Sequence, residues 1–394
     1  MSQRNVVILS GARTAIGSYG GSLKDIPPTQ LAAHALREAV TRANIDPARV
    51  GHAVFGNVIH TEARDMYLAR VACIDAGLSH ETPALTVNRL CGSGLQAIVS
   101  AAQSVLLGDA DVAVAGGAES MSRGLYGNPS LRWGARMGPT TEIDMMVGAL
   151  TDPFDSIHMG VTAENVAERY DIGRDEQDAF AVESQQRAAR AIAAGYFDEQ
   201  IVPIELASKK GPISFAQDEH VRGETTREAV AKLRTIFKKD GSVTAGNASG
   251  INDAGAAVVM MEGAAAEREG RTPLARLVSY AHAGVDPKIM GIGPVPAVKR
   301  ALERAGLSVA DIDVIESNEA FAAQACAVSK ELKFDPAKVN PNGGAIALGH
   351  PIGATGCILT IKAIYELHRT GGRYAIVTMC IGGGQGIAAI FERA

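Results

Sequence analysis

The sequence predicts a layered α/β enzyme built from two similar halves, with a lobe inserted late in the first. Three observations carry this. Short apolar runs alternate with helix-length periodic stretches at both ends of the 394-residue chain. The alternation breaks between Gly116 and about Gly250, and the opening pattern returns after Arg271. Hydrophobic residues make up 46% but aromatics only 5%, with 43 glycines, so the elements must pack closely through Ala, Gly, Val and Ile. The boundaries expected are 1–118 plus 250–270 for the first half, 119–249 for the insertion and 271–394 for the second half.

In order, Asn5 to Leu9 reads as a strand and Thr29 opens a periodic helix over Gln30 to Arg42. Ala53 to Val58 is a strand, Asp65 to Gly77 a helix, Ala84 to Val87 a buried strand and Ser93 to Leu107 a small-residue helix. Asp111 to Ala115 is the next strand. Strands spaced by helices imply crossovers and a mostly parallel sheet. Gly160 to Tyr170 and Arg174 to Ala194 read as helices of the inserted lobe, which gains positive charge from Lys209-Lys210 and Lys232 to Lys239. A structureless loop of that length would be implausible. Ala254 to Met261 resumes the strands. The second half then offers strand Leu274 to Ala281, helix Val295 to Ala305, strand Ile312 to Glu316, helix Ala320 to Leu332, helix Gly353 to Leu367 and strand Arg373 to Met379. The repetition implies a pseudo-twofold, with a site where helix N-termini of the two halves meet.

Net charge is -5, which invites neither nucleic acid nor an anionic membrane. The five cysteines lack CxxC spacing, which argues for reduced thiols in a cytoplasmic compartment and against a disulfide framework or structural zinc. The N-terminal apolar run from Met1 to Ser10 is too short for a signal peptide, and no membrane span is expected. The Gly17 to Gly21 stretch lacks a P-loop lysine and an intact GxGxxG.

Four stretches carry chemistry. In Asn88-Arg89-Leu90-Cys91-Gly92-Ser93-Gly94, Cys91 stands where a strand turns into a helix, and a helix N-terminus favours thiolate over thiol. Glu316-Ser317-Asn318-Glu319-Ala320-Phe321 places Asn318 at another strand–helix junction, as a cap or as a holder of water or carbonyl oxygen. Gly349-His350-Pro351-Ile352-Gly353 puts a histidine in a turn with little packing surface. Met379-Cys380-Ile381-Gly382-Gly383-Gly384 runs a strand into glycines, which on their own are more often a tight β-turn but whose N–H groups are also free for an oxyanion.

Together, in this order, NRLCGSG, SNEAFAAQ, GHPIGATG and CIGGGQG resemble the signature set of the thiolases, over essentially the whole chain. The resemblance implies αβαβα layers with two mixed β-sheets and an inserted loop domain. It implies a reversible Claisen condensation of two acetyl-CoA. Cys91 would carry the acyl group, His350 would take its proton and Cys380 would remove the α-proton of the second acetyl-CoA. His350 with an Asn318-held water would form one oxyanion site, and the N–H groups of Cys91 and Gly382 the other. Coenzyme A would be met as substrate, with no other cofactor and no metal. Ser249 would bond its pantetheine, with Ala245, Phe321, Leu150, His158, Met159 and Met290 along the channel and Arg222 and Phe237 at the adenine end. The Arg123 to Asp144 segment resembles the loop through which tetrameric members associate, so a homotetramer is implied.

Thr355 replaces a frequent serine, Ile157 a usual aromatic, and Ile236 follows Thr235 where proline is common, which opens the question of acyl length. The rival within the class is a degradative thiolase of longer or broad chain length. A decarboxylating ketoacyl synthase would use a second histidine where this chain offers Asn318 and Cys380. A non-catalytic acyl-CoA binder would not need both thiols, and a redox or metal site fits no standard ligand spacing.

Overall fold

The computed structural model describes residues 4–209 and 211–394; Lys210 and the first three residues of the N-terminal run lie outside. The first half contributes β1 (Val6–Arg13), α1 (Pro28–Ala43), β2 (His52–Gly56), α2 (Leu68–Ala76), β3 (Ala84–Val87), α3 (Ser93–Leu107) and β4 (Val112–Ser120). The segment that follows holds α4 (Met159–Tyr170) and α5 (Arg174–Ala193), and β5 (Asn252–Glu262) returns to the sheet. The second half contributes β6 (Ala275–Gly284), α6 (Pro294–Ala305), β7 (Val314–Ser317), α7 (Ala322–Leu332), α8 (Thr355–Thr370), β8 (Tyr374–Ile381) and β9 (Gln385–Arg393).

Five layers result. The central pair α3 and α8 packs Leu95, Ile98, Cys357, Ile358 and Ile361 against inward residues of both halves, among them Ile8, Val258, Val377 and Ile387. The outer face of the first sheet carries α1 and α2, and that of the second carries α6 and α7. Residues Leu90–Leu107 have the length and mean hydropathy of a membrane-spanning segment, at 1.4, yet they form this central helix and the turn before it. Most of its apolar surface meets protein, and only the last turn, at Leu106 and Leu107, is exposed.

The first-half strands run in the order β1-β5-β4-β2-β3 and the second-half strands β6-β9-β8-β7, joined by a short contact of Val7 with Arg276 and Ile8 with Ala275. The sheets are mixed, not mostly parallel as the alternation suggests. Parallel pairing is confined to β2–β3, β2–β4 and β7–β8. The reason lies in the connections. The chain leaves β4 for the 121–251 segment and re-enters from the same end, so β5 lies antiparallel between β1 and β4. At the other end β8 folds back directly on β9 through Gly383 and Gly384, at φ +82° and +85°, a left-handed conformation glycine adopts without strain.

The inserted segment is tied to β1 by a buried fork. Arg13 donates from Nη1 and Nη2 to the Asp218 carboxylate at 2.8 and 3.0 Å, both side chains inaccessible. The same carboxylate accepts the Ile16 N–H at 2.8 Å. Both carboxylate oxygens are thereby hydrogen-bonded, as a buried ion pair requires.

Candidate active site

Cys91 occupies a turn made by its neighbours' side chains. Asn88 Oδ1 accepts the Leu90 N–H at 2.9 Å, and Ser93 Oγ accepts from Arg89 N and donates to Leu90 O. These bonds hold Leu90 at φ +44°, an unusual value for a residue with a Cβ, and aim the next side chain out of the strand path. Cys91 is half-buried. The expectation that the helix N-terminus depresses its pKa is overturned. Burial pushes the thiol up to about 11, a Gly382 N–H on the sulfur opposes this, and the Glu119 charge adds to the rise. Cys91 precedes the N-cap, Gly92, so the helix field reaches it from one residue away and desolvation outweighs it.

His350 is 4% exposed, and burial lowers it to about 4, so it rests as neutral imidazole. Its tautomer follows from its partners. Thr355 Oγ1 lies 2.7 Å from His350 Nδ1 and 3.0 Å from Pro351 O. With its single proton given to that carbonyl, Thr355 accepts the Nδ1–H. Nε2 therefore carries the lone pair, and Asn318 Nδ2 approaches it at 3.4 Å. A neutral histidine with a free Nε2 can take the proton of a thiol. Asn318 Oδ1 is buried without a hydrogen-bond partner among the described residues, leaving an acceptor for water or substrate.

Cys380, fully buried near the end of β8, has its thiol pushed up by burial and further by the Cys91 charge. The two thiols therefore interact electrostatically, and the Gly382 N–H on the Cys91 sulfur brings the end of β8 against Cys91. Four of the residues expected to meet CoA gather around Cys380. Met159, Met290 and Phe321 share its apolar cluster, with Phe237 packed against it. Phe237 stacks on His158 at 4.6 Å and meets Phe321 edge-on at 6.2 Å. His158 Nδ1 caps α4 by accepting the Gly160 N–H, and burial lowers its pKa. Leu150 O accepts the Met159 N–H at 2.8 Å. Ser249 and exposed Ala245 lie on a loop pinned by Ser249 N to Ala320 O at 3.0 Å. Arg222 stands apart on the surface. Its N–H is held by Gln185 Oε1 at 2.7 Å, and among the described residues no hydrogen bond or ring contact joins its side chain to Phe237. Also among the described residues, no group of three or more His, Cys, Asp or Glu is placed to hold a metal ion.

Three positioning groups escape sequence reading or change meaning. Glu119 and Asn252, both on first-half strands, hold the backbone of the His350 turn at Gly353 and His350. Neither stands in a motif with a local signal. Thr355 was noted only as a departure near the channel, but its hydroxyl orients the base.

Comparison with known proteins agrees along the whole length. Residues 6–264 match the thiolase N-terminal domain and residues 271–393 the thiolase C-terminal domain. The chain is 68% identical over 391 residues to beta-ketothiolase BktB of Cupriavidus necator, covering 99% of each. It is 50% identical over 392 residues to an acetyl-CoA acetyltransferase of Pseudomonas aeruginosa, covering 99% of this chain and 100% of that one. The structure superposes on human mitochondrial 3-ketoacyl-CoA thiolase in complex with CoA with a TM-score of 0.96 at 46% identity, over 100% and 98% of the two chains.

Proposed function

The chain belongs to the thiolase family of acyltransferases, and from that premise we propose that it catalyses the reversible condensation of two acetyl-CoA to acetoacetyl-CoA and CoA through an acyl group on Cys91. Cys91 gives its proton to His350 Nε2 as its sulfur attacks the thioester carbonyl. The C–S bond to CoA breaks, and the same proton leaves on the CoA sulfur. Cys380, its own thiol proton released to solvent as CoA departs and regained at the end of the cycle, then removes as thiolate a proton from the methyl of the second acetyl-CoA. The carbanion forms the C–C bond, the Cys91 thioester breaks, and the Cys380 proton passes to the freed Cys91 sulfur. Thiolysis reverses these steps.

The observation that supports this reading is two thiols close enough to interact electrostatically, with Cys91 packed against Ile352 of the turn that holds a neutral His350. The electrostatics also favour the order of steps. A Cys91 thiolate would oppose ionisation of Cys380, and acylation keeps that thiolate from forming, so the two sulfurs never carry charge together. Gly382 and Cys91 N–H groups would stabilise the tetrahedral oxyanion and His350 with Asn318 the enolate. Ser249, Ala245, Leu150, His158, Met159, Met290, Phe321, Phe237 and Arg222 would receive CoA.

A second reading keeps the chemistry and broadens the acyl chain. It is favoured by the apolar methionine and phenylalanine lining beside Cys380. Turnover of acetoacetyl-CoA against longer 3-ketoacyl-CoAs separates the two. A tetramer is supported by Leu131, Trp133 and Met137, which expose 60%, 88% and 97% of their surface on the loop read as the assembly segment. Light scattering at a fourfold chain mass would support it, and a monomer would refute it. The primary test is intact-protein mass spectrometry after mixing with acetyl-CoA, followed by peptide mapping. One labile acetyl on Cys91 is expected, lost in Cys91→Ala and retained in Cys380→Ser while C–C bond formation collapses. Acetylation elsewhere, or none, refutes the mechanism.

A further inference from the structure

His350 belongs to the second half and Cys91 to the first, so something must fix one half's turn against the other. Glu119, fully buried at the end of β4, sits between them. Its Oε1 accepts the Ile59 N–H at 3.0 Å and Asn57 Nδ2 at 3.1 Å. Its Oε2 accepts the Val58 N–H at 3.2 Å and, from across the half boundary, the Gly353 N–H at 2.8 Å. Val58, Ile59 and Ile352 then pack with Cys91 in one apolar cluster. The carboxylate thus holds two of the walls around the nucleophile.

Gly353 itself is plugged into a socket of the first half. A Cβ on Gly117 would lie 2.0 Å from Gly353 O, one on Gly56 2.8 Å and one on Gly94 3.0 Å, so the turn seats only because those walls lack side chains. At the other end of the turn, His350 N–H donates to Asn252 Oδ1 at 3.0 Å. The base is therefore placed by groups of the half that carries the nucleophile.

We infer that Glu119 is a positioning residue for acyl transfer, clamping the His350 turn at Gly353 so that Nε2 is held in register with the Cys91 sulfur. This rests on the reading of Cys91 as nucleophile and His350 as its base. The role needs a carboxylate. All four partners are N–H donors, and Glu119→Gln keeps the shape but turns an NH2 group on two of them. The turn then loosens without a change in the CoA channel.

The test is a double-variant cycle on single-turnover acetylation of Cys91 by acetyl-CoA, with wild type, Glu119→Gln, His350→Ala and the pair. Misplacement of a reacting group by a fraction of an ångström to one ångström slows chemistry ~10- to 100-fold, and that slowing is expected for Glu119→Gln with CoA affinity within about threefold of wild type. The pair is expected to be no slower than His350→Ala alone, because a clamp on an absent base has nothing left to position. Multiplicative losses in the pair, or a wild-type rate in Glu119→Gln accompanied only by a lower Tm, overturn the inference. Should Glu119→Gln not fold, Glu119→Asp keeps the charge but draws the carboxylate back from Gly353 by one methylene, and the same cycle decides. A wild-type protein that is never acetylated on Cys91 removes the mechanism itself; normal wild-type acetylation with uncoupled variants removes only the clamp.

Discussion

Thr355→Val isolates the orientation of the base from its presence. Valine matches threonine in shape and leaves the start of α8 undisturbed, but it deletes the acceptor of the His350 Nδ1–H at 2.7 Å. Pro351 O loses the Thr355 hydroxyl at 3.0 Å yet keeps the N–H groups of Ala354 and Thr355 at 2.8 and 3.0 Å, so it is not orphaned. His350 has no such reserve. With Thr355 2% and His350 4% exposed, water does not replace the bond, and an unpaired buried donor costs ~1–3 kcal/mol. The bond also strengthens as Nε2 takes the Cys91 proton and the ring becomes cationic, so the loss falls on the transition state. At 1.4 kcal/mol per factor of ten, acetylation should slow roughly 5- to 150-fold. Thr355→Ser, which keeps the hydroxyl, should stay within about threefold. Quenched-flow acetylation with acetyl-CoA gives the rates, and nitrogen-15 histidine spectra read the Nδ1–H tautomer, which should become mixed only in the valine variant. A valine enzyme that acetylates at the wild-type rate, with its tautomer unchanged, refutes the assignment.

Stability should fall with acidity from near pH 6.5 towards pH 4. Burial, the first cause at each, holds His350 and His282 at about 4, below the ordinary 6.5, so the unfolded chain binds their protons first and gains population as pH drops through that window. Urea midpoints across the range check this, and His350→Asn should flatten part of the slope. Lys362→Met strands the buried Glu316 carboxylate, which Lys362 Nζ now holds at 2.8 Å, and should cost ~3–5 kcal/mol in denaturant unfolding; adding Glu316→Leu should recover most of it. Phe237→Ala removes the His158 stack and the Phe321 edge contact, worth ~0.5–1.5 kcal/mol each. It should raise KM for CoA substrates while leaving Cys91 acetylation at saturation within about threefold.

What the sequence made legible were groups whose role is written in their immediate neighbours. Cys91 and Asn318 stand at strand–helix junctions, Cys380 where a strand meets a turn and His350 in a glycine-rich turn between two helices, and a short-range pattern suffices to find them. Helices such as α3 and α5 were equally plain, since a period of three to four residues is a local property. Strand direction was not. The apolar run of β5 marks a strand, but its antiparallel place between β1 and β4 follows from where the inserted segment delivers the chain. β9 has no counterpart in the sequence reading: the glycines before it read as N–H donors or as a tight β-turn, but a turn at Gly383-Gly384 does not by itself say that a strand follows. The protonation of Cys91 was misjudged for a related reason, since a helix N-terminus can be read from a pattern but the burial that outweighs it cannot. Glu119 shows the limit most sharply. In Gly116-Gly117-Ala118-Glu119-Ser120 nothing distinguishes it from a strand-end acid that faces solvent, and the partner that gives it meaning, Gly353, lies 234 residues away. In a duplicated fold the reacting atoms come from local turns while their registry comes from cross-half bonds. Substitutions of groups such as Glu119 and Asn252 therefore probe what the motifs alone do not encode.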